Sequence, residues 1–369
     1  MHFYANMFNQ KSGKRMAKKK IVIEPSWSFK DETGQRVDPR LFQLLKAIDN
    51  HKKLTEAAKY IGLSYRHAWN LIKQWSDFFG VDLVKLEKGR GAYLTPLGEK
   101  LVWAEQRVMA RFQPQMTNLA SELNKEIQHS LASIEPLLTL QASHGYAVEL
   151  LPALSQSIHI QLDLHYSSPT EALIALNKGR CDIAGFHKPV DIDVPAQLAK
   201  YQPYLKPRSH KLIRFITRQQ GLMVKPGNPF AIHAITDLPR QDIRFINRED
   251  NSGTRALFDQ LLQNDGITPQ DIQGYDNHEY THSAIAAYIA AGMADVGFGV
   301  EQAAVQFGLD FIPICREEYL LVCHQQKLKS AVVQAFIEGL QSDVFKAQVS
   351  QLAGYSATES GTITDLTDI

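Results

Sequence analysis

The spacing of apolar residues changes near Leu137, and this change constrains the fold more than any other feature of the sequence. Before Leu137, apolar residues recur three and four positions apart, which predicts amphipathic helices. After Leu137, short apolar runs alternate with helical patterns, which is typical of an α/β domain with parallel strands. Because 369 residues exceed what one ordinary core holds, we expect two or three domains.

Charge divides near the same place. Residues 1–130 contain 22 Lys and Arg against 13 Asp and Glu, whereas the remainder contains 18 against 26. A basic front and an acidic back predict a nucleic-acid-binding head joined to a body with another task. Part of the positive charge lies in residues 1–20, which we expect to form a disordered tail, and Met16 is an alternative start to Met1.

The head contains a helix-turn-helix pattern. Two helical stretches precede the turn Gly62–Ser64, where Ser64 is suited to cap a third helix. One face of the third helix is apolar, and the other carries donors suited to phosphates and base edges. These donors are Tyr65, Arg66, Asn70 and Lys73. Two short strands then flank Lys88 and Arg90, a basic hairpin that would serve as a wing.

The motifs LLKAID, AAKYIGLSYRHAWNLI and LTPLGEKLV resemble the winged helix-turn-helix of the ModE and LysR bacterial regulators over about residues 20–105. Tyr65 and Trp69, which follow GLS, are more similar to ModE than to LysR. The resemblance implies a double-stranded DNA operator as a partner. The residues predicted to bind DNA are Ser64, Tyr65, Arg66, Asn70, Lys73, Lys88 and Arg90.

Thr95 and Pro96 begin a long helical pattern with two apolar stripes. The stripes consist of Leu97, Leu101, Ala104, Val108 and Phe112, and of Leu119, Leu123, Ile127 and Leu131. Stripes of this length need a partner. In both regulator families this segment pairs two subunits, so a homodimer or higher homo-oligomer is implied. The alternative is that the stripes pack against their own chain. Pro114 is expected to break or kink the helix.

In the body, the segment Asn247–Arg255 (NREDNSGTR) lies between a short apolar run and a helical pattern. Ser252, Gly253 and Thr254 would then lie at a helix N-terminus, where free N–H groups and the helix dipole favour an anion. Arg248 and Arg255 add positive charge. The alternative is an ordinary helix cap beside two surface arginines.

The body as a whole resembles a type II periplasmic-binding-protein fold with two lobes that close on a ligand. RFINREDNSGTR is similar to the oxyanion-contacting loop of tungstate- and molybdate-binding proteins. The motifs ASHG, YSSPTEAL and THSAIAAYIAAGMADVGFG resemble a molybdate-binding-like domain fused to ModE-type heads, over about residues 135–345. This resemblance implies a ligand pocket formed by Ser143, His144, Ser167, Ser168, Arg248, Ser252, Gly253, Thr254, Thr281 and His282. The sequence departs from periplasmic molybdate binders at Val300, where they have a tyrosine.

The complete prediction is an α/β protein with five segments. They are a basic tail (1–20), a winged helix-turn-helix (21–95), a linker and dimerisation helix (96–134), a two-lobed periplasmic-binding-protein-like ligand-sensing domain (135–350) and a polar C-terminal tail (351–369). Within the sensing domain, Leu309–Ile314 and Tyr319–Val322 are predicted as two returning strands. We hypothesise a cytoplasmic one-component transcription regulator whose effector is molybdate or tungstate.

Other classes find little support in the sequence. It has no G-x-S-x-G motif, P-loop or dinucleotide fingerprint, so we expect no catalytic residues. Cys181, Cys315 and Cys323 form no CxxC pair and suit a reducing compartment, and we expect no metal and no covalent cofactor. The sequence contains no run of about 18 apolar residues, so we predict no membrane span. Two alternatives stay open. One is a transcription regulator that senses an organic acid or a pterin-type ligand, and the other is a non-regulatory molybdenum-cofactor carrier or enzyme.

Overall fold

The computed structural model describes residues 30, 34, 36, 38–87, 91–130, 137–190 and 199–368. Its amino-terminal part holds three helices and a hairpin: α1 (Arg40–His51), α2 (Leu54–Tyr60), α3 (Tyr65–Phe79), β1 (Val84–Glu87) and β2 (Gly91–Leu94). The two strands pair antiparallel, with Val84 opposite Leu94. The predicted helix-turn-helix and following hairpin are confirmed, whereas the tail over residues 1–20 and the wing residues Lys88 and Arg90 lie outside the described residues.

Helix α3 begins and ends where its sequence predicts. The side chain of Ser64 accepts a hydrogen bond from the N–H of His67, and Gly80 ends the helix with a φ of 70°. The apolar face of α3 packs into the core of the head, where Trp75 is completely buried and its ring lies 5.7 Å from that of Phe42. The opposite face stays exposed to solvent.

The linker forms one helix, α4 (Pro96–Ser130), so of the predicted break or kink at Pro114 the break does not occur. At about 1.5 Å per residue, such a helix is roughly 50 Å long. A proline inside a helix leaves the carbonyl oxygen four residues earlier without its donor. Here that oxygen belongs to Ala110, and the hydroxyl of Thr281 donates to it at 3.1 Å. Among the described residues, no helix is both long and apolar enough to cross a membrane.

The body is built on one ten-stranded sheet, and the predicted α/β class is confirmed. Its strands are β3 (Leu137–Ala142), β4 (Gln161–Tyr166), β5 (Ile183–Pro189), β6 (His210–Val224), β7 (Phe245–Arg248), β8 (His278–Glu279), β9 (Val296–Val300), β10 (Asp310–His324), β11 (Tyr355–Ser356) and β12 (Ile363–Thr364). Along the sheet the order is β4-β3-β5-β10-β6-β9-β7-β8, and both β11 and β12 pair with β6.

Two long antiparallel strands, β6 and β10, join the two lobes. One half of β10 pairs with β5, so that β3, β4 and β5 form the first lobe. The far half of β6 pairs with β9, which carries β7 and β8 into the second lobe. The middle of both strands therefore lies where the chain crosses between lobes. The predicted strands Leu309–Ile314 and Tyr319–Val322 are parts of the single strand β10.

Seven helices of the body were identified in the described residues: α5 (Leu151–Ser157), α6 (Pro169–Asn177), α7 (Gly253–Asn264), α8 (His282–Ala290), α9 (Glu301–Gln306), α10 (Ala331–Gln341) and α11 (Asp343–Ser350). They cover the sheet and share its apolar core, in which Phe215 of β6 and Phe336 of α10 are both completely buried. Phe245 and Phe258 stack in the second lobe with ring centres 4.8 Å apart.

The C-terminal segment corrects the prediction of a polar tail over residues 351–369. Strand β11 pairs with Thr217 and Arg218, and β12 pairs with Leu212 and Ile213. These contacts cover the stretch of β6 that β9 does not reach, and an uncovered edge would expose unpaired backbone groups. The serine- and threonine-rich segment has no alternating apolar pattern that would predict these strands, although Tyr355, Ala357 and Leu366 are buried in the cores of the body.

Candidate functional site

The centre of the site lies where β6 and β10 cross between the lobes. Arg218 and Glu317 are opposite each other in the sheet, and both are almost completely buried. Arg218 donates to Oε2 of Glu317 from Nε at 2.8 Å and from Nη2 at 2.7 Å. The amide nitrogen of Gln220 donates to the same oxygen at 2.9 Å. A buried ion pair with a third donor on one oxygen holds these side chains in a single arrangement.

Arg248 brings a second buried positive charge to this place. It ends β7, is 8% exposed, and donates from Nη2 to the carbonyl oxygen of Tyr280 at 2.9 Å. Burial lowers the pKa of Arg248 to about 10, and the nearby Glu249 carboxylate partly opposes that shift. The guanidinium is therefore still protonated at neutral pH, yet no salt bridge to it occurs among the residues described here. Buried arginines are ordinarily paired, so this one is suited to an anionic partner.

The N-terminus of α7 points at the same cluster. Ser252 caps the helix by accepting from the N–H of Arg255 at 3.1 Å. A Cβ on Gly253 would lie 3.0 Å from a ring carbon of His187, so glycine permits the close approach of helix and strand. The hydroxyl of Thr254 accepts from Gln220 at 3.4 Å. The N–H groups of the first turn of α7 therefore lie beside Gln220 and His187.

His187 and His282 are both buried in this cluster. Burial, with a contribution from the Arg218 and Arg248 charges, lowers the pKa of His187 to about 3 despite the opposing effect of Glu317. Burial lowers the pKa of His282 well below its usual value, and the same arginines add to the shift. Both imidazoles are neutral near pH 7, and each neutral ring can both donate and accept a hydrogen bond.

Four buried polar atoms in this cluster have no hydrogen-bond partner within the part of the chain that the structure describes. They are Oε1 of Gln220, Nε of Arg248, Nδ1 of His282 and Oε1 of Glu317. Folded proteins leave only a few such atoms in about 100 residues, because each costs about 1–3 kcal/mol. Their concentration at the crossing of the lobes marks this cluster as the candidate ligand site. We call Arg218, Gln220, Arg248, His282 and Glu317 the crossing cluster.

The first-lobe residues predicted for the pocket lie beside the crossing cluster. The N–H of Ser143 donates to the hydroxyl of Tyr319 at 2.8 Å, and a Cβ on Gly145 would lie 3.5 Å from Nη1 of Arg218. His144 forms a 2.7 Å contact with Glu149. The hydroxyl of Ser143 donates to the carbonyl oxygen of Ser167 at 3.4 Å. The loop at Ser143–Gly145 therefore forms the first-lobe wall of the site.

Two further predicted pocket hydroxyls, those of Ser168 and Thr281, cap helices as Ser252 does. Ser168 forms a capping box with Glu171 at the start of α6, donating to its carboxylate at 2.7 Å. Thr281 accepts from the N–H of Ala284 at 3.0 Å while donating to Ala110. Both hydroxyls are occupied by these contacts, which leaves the backbone N–H groups nearby as the donors that could reach a ligand.

Arg255 is buried and braces its own helix. Its Nε atom lies 2.9 Å from Asp259, and its Nη1 atom lies 3.0 Å from Asp250 and 3.2 Å from the carbonyl oxygen of Arg248. Its guanidinium also stacks on the ring of Tyr275 at 4.2 Å. These contacts fix the loop that presents Arg248.

Sequence reasoning missed Arg218, Gln220 and Glu317. Each lies inside a long strand whose other residues are largely buried and apolar. A charged or amide side chain in the middle of such a strand is the signal that could have identified them, because burying a charge or a polar group is costly without a partner.

A separate cavity of about 280 Å³ lies between β6, β10 and the C-terminal segment, with Arg214, Glu318, Glu359 and Ser360 in its lining. There Arg214 pairs with Glu318 at 3.0 Å and with Glu359 at 2.5 Å. Because its carboxylates already neutralise Arg214, this cavity is less suited to an anion than the crossing cluster.

The linker helix α4 contacts the segment that leads into α8. Nε of Arg107 donates to the completely buried Glu279 at 2.6 Å. The guanidinium of Arg111 lies 4.8 Å from the ring centre of Tyr280, and Thr281 binds Ala110. The backbone of Tyr280 also binds Arg248. Residues 279–282 therefore touch the linker helix and the crossing cluster at once.

The predicted DNA-binding residues of the described head are exposed on one surface of α3. Ser64, Tyr65, Arg66, Asn70 and Lys73 all face solvent, and Trp69 beside them is 43% exposed. A solvated surface of donors and aromatic rings is compatible with contacts to phosphates and bases.

Comparison with known proteins agrees with this architecture. Residues 39–99 match the bacterial regulatory helix-turn-helix protein family of lysR type, and residues 153–341 match the PBP superfamily domain family. The chain is similar to the uncharacterized protein YvgK of Bacillus subtilis (strain 168), with 36% identity over 203 residues, covering 54% of this chain and 64% of YvgK.

Two further relatives cover different shares of the chain. The uncharacterized HTH-type transcriptional regulator MJ0300 of Methanocaldococcus jannaschii is 23% identical over 266 residues, or 69% of this chain and 80% of that protein. The molybdenum-pterin-binding protein MopB of Rhodobacter capsulatus is 26% identical over 136 residues, or 36% of this chain and 50% of MopB. The matches thus span less than two thirds of YvgK and half of MopB.

Proposed function

Since this chain belongs to the PBP superfamily and carries a helix-turn-helix of the lysR type, we propose that it senses a small oxyanion, with molybdate and tungstate as the first candidates. The chain is a LysR-type transcriptional regulator with a PBP-like ligand-binding domain. A regulator that binds both DNA and effector in one chain would act in the cytoplasm.

The observation that carries the anion proposal is the buried, unpaired charge of Arg248 beside the N-terminus of α7. A helix N-terminus and a guanidinium both favour negative charge, and their effect is strongest where water is excluded. Each charge-assisted hydrogen bond contributes about 1–3 kcal/mol. A handful of such bonds, after the ordering costs, suffices for micromolar binding, which corresponds to about −8 kcal/mol.

Molybdenum enters the proposal through the resemblance of the body to molybdate-binding-like domains and through the similarity to MopB, whose name records molybdenum-pterin binding. The second candidate keeps the regulator and replaces the free oxyanion with an organic acid or a pterin-type ligand. The unpaired acceptor atoms of Gln220 and Glu317 favour this candidate, because an oxyanion without protons cannot donate to them.

We propose that residues 279–282 transmit occupancy of the site to α4. A ligand that pulls on Arg248 would change the bond between Arg248 and the backbone of Tyr280. The neighbouring residues Glu279 and Thr281 bind α4 directly. For this contact to regulate, the ligand must bind one arrangement of the lobes more tightly than another.

The head would bind an operator as a dimer. One face of α4 packs on the body of its own chain, whereas Phe112, Leu119 and Leu123 stay between 38% and 48% exposed. This exposed apolar stripe is suited to the same stripe of a second subunit. In this arrangement a change in α4 would alter the spacing of the two heads on DNA.

Calorimetry with the full chain tests the proposal. Molybdate, tungstate and sulfate should be titrated into the purified protein, and at least one should bind with micromolar affinity or better. Arg248→Met should weaken that binding at least tenfold. Arg208→Met, which removes an exposed arginine from the same domain, serves as the matched control and should bind as the wild type does. Absence of heat with all three anions would exclude molybdate and tungstate as effectors.

A carrier or enzyme of molybdenum-cofactor synthesis with an inactive DNA head is the alternative from another class. It predicts ligand binding without DNA binding. Operator selection from a random DNA pool, followed by measurement of affinity at several salt concentrations, separates the two. Failure to enrich any sequence, with ligand binding retained, would favour the carrier or enzyme.

A further inference from the structure

We propose that Gln220 and Glu317 select an effector that carries an O–H or N–H donor beside its anionic group. This inference rests on the proposed anion site and changes its preferred ligand, from molybdate or tungstate to an anion that also donates a hydrogen bond. Both side chains belong to the crossing cluster. Each has a buried acceptor oxygen that receives no hydrogen bond from the described residues.

The two oxygens of Glu317 have different surroundings. Oε2 accepts from Arg218 and from Gln220, with donor distances between 2.7 and 2.9 Å. Oε1 is buried and has no partner. Burial raises the pKa of Glu317, but the charge of Arg218 and the hydrogen bonds donated by Gln220 and Arg218 outweigh that effect and hold the pKa below its usual value. The carboxylate is therefore ionised at neutral pH, and its free oxygen can only accept.

The orientation of the Gln220 amide follows from this charge. Because an ionised carboxylate cannot donate, the atom of Gln220 that faces Glu317 must be the NH₂ group. The same nitrogen contacts the hydroxyl of Thr254. The amide oxygen is left as a second buried acceptor without a donor. Neither acceptor can be satisfied by rotating the amide, since the rotation would set two acceptors against each other.

Arg248 requires a hydrogen-bond acceptor, whereas Gln220 and Glu317 require donors. Its Nε–H is buried and has no acceptor. A ligand that satisfies Arg248 and at least one of the two acceptors must therefore accept from Arg248 and donate to Gln220 or Glu317. Sulfate, molybdate and tungstate carry no proton at neutral pH, so they would set oxygen lone pairs against the free acceptors. A buried acceptor left without a donor lowers affinity strongly, which is how protein sites reject ligands lacking a hydroxyl or amine.

Two kinds of ligand share the required chemistry. Inorganic phosphate keeps at least one proton at neutral pH and so presents a hydroxyl next to its negative oxygens. A pterin that bears a carboxylate or phosphate presents ring N–H and amino groups together with an anion. The two ligands meet the same requirements for charge and for hydrogen-bond donors, but the ligands differ in size.

The test compares four probes by calorimetry on the full chain at about pH 7: inorganic phosphate, pterin-6-carboxylate, sulfate and molybdate. We expect phosphate or pterin-6-carboxylate to bind at least ~10-fold more tightly than sulfate and molybdate, and the tighter of the two identifies the source. Gln220→Met should reduce this preference at least ~3-fold. Gln219→Met is the matched control, because Gln219 is the neighbouring residue and its amide binds the Cys315 carbonyl outside the cluster.

The outcomes separate this inference from the proposed function. Equal or tighter binding of sulfate or molybdate overturns the donor requirement while leaving the anion site intact. A preference that Gln220→Met does not change also overturns it. Absence of binding by all four probes overturns the anion site and this inference together. If Gln220→Met unfolds, Glu317→Gln provides the second variant: it replaces one carboxylate oxygen by a donor, and the preference for donor-bearing probes should fall again.

Discussion

The hydroxyl of Thr281 donates a hydrogen bond of 3.1 Å to the carbonyl oxygen of Ala110 in the linker helix. In an uninterrupted helix that oxygen would accept from residue 114, which here is a proline without an N–H group. The defect in α4 is therefore satisfied by the residue that caps α8. Since His282 follows in the crossing cluster, one hydrogen bond connects the linker to the edge of the ligand site.

Thr281→Val should reduce communication between ligand and DNA. Valine keeps the shape of threonine but cannot donate to Ala110, so movement of the α8 N-terminus would reach α4 less directly. We expect ligand binding to be retained and the ligand-dependent change in operator affinity to shrink several-fold. Fluorescence anisotropy with a selected operator, with and without the anion found by calorimetry, measures both quantities.

Thr117→Val is the control for this substitution. Thr117 also lies in α4, but its hydroxyl donates to the Gln113 carbonyl within the same helix. Its removal should leave the communication unchanged. If Thr281→Val responds to ligand as the wild type does, the bond to Ala110 has no part in regulation.

Thr281→Val should also lower the unfolding free energy by about 1 kcal/mol, because valine cannot cap α8. Urea denaturation measures this loss.

Arg107→Met should destabilise the contact between α4 and the body. Glu279 is completely buried, and removal of Arg107 would leave its carboxylate without a charged partner. Breaking a buried pair from one side costs about 3–5 kcal/mol, and the partial exposure of Arg107 reduces this to about 2–3 kcal/mol. Urea denaturation of the full chain measures the loss.

Two variants check this interpretation. Arg111→Met removes a guanidinium stacked on Tyr280 and should cost about 0.5–1 kcal/mol. Adding Glu279→Leu to Arg107→Met removes the unpaired carboxylate and should recover part of the lost stability. A double variant less stable than Arg107→Met would contradict the assignment of the cost to buried charge.

Stability should fall as the pH drops below about 6.5. Burial, aided by nearby positive charges, lowers the pKa of His187 from 6.5 to about 3 and that of His210 to about 4. The unfolded chain binds protons at these histidines below pH 6.5, whereas the folded chain does not until the lowered values are reached. Folding is therefore favoured above pH 6.5 and penalised increasingly down to about pH 4.

The measurement is the thermal unfolding midpoint between pH 7.5 and 4. Each histidine contributes at most about 1.4 kcal/mol per pH unit. His187→Gln should flatten this dependence, whereas replacement of the exposed His278 by glutamine should leave it unchanged. An unfolding midpoint that rises from pH 6.5 to 4.5 would show that other groups dominate.

Arg66→Ala and Lys73→Ala should weaken operator binding without affecting stability, since both side chains are exposed on α3. Each lost phosphate contact should make the slope of log affinity against log salt concentration shallower by about one. Lys178→Ala removes an exposed positive charge from the body and is the control. Normal affinity of both α3 variants at matched salt would mean that another surface contacts DNA.

Local patterns were sufficient to predict the head and the loop at Arg248. Ser64 and Ser252 cap their helices as expected, because a cap depends on a few consecutive residues. The crossing cluster could not be predicted in this way. Arg218 and Glu317 are 99 positions apart, and their pairing follows from the register of two long strands.

The same limit applies to Thr281 and to the C-terminal strands. The sequence shows that Thr281 can cap a helix, but its second bond, to Ala110, depends on how α4 lies against the body. Pairing of β12 with β6 rests on backbone groups, which have no signature in side-chain patterns. Contacts between distant segments are fixed by the packing of the whole domain, and that information is spread over many residues.

The pairing of β11 and β12 with β6 has a consequence for synthesis of the protein. Strand β6 leaves the ribosome more than a hundred residues before Tyr355, so its outer edge waits uncovered while the rest of the body is made. The first lobe is complete only after Tyr355 and Ile363 have been made, because both of their strands pair with β6. A chain truncated before Tyr355 would therefore keep this edge of β6 exposed to other unpaired strands.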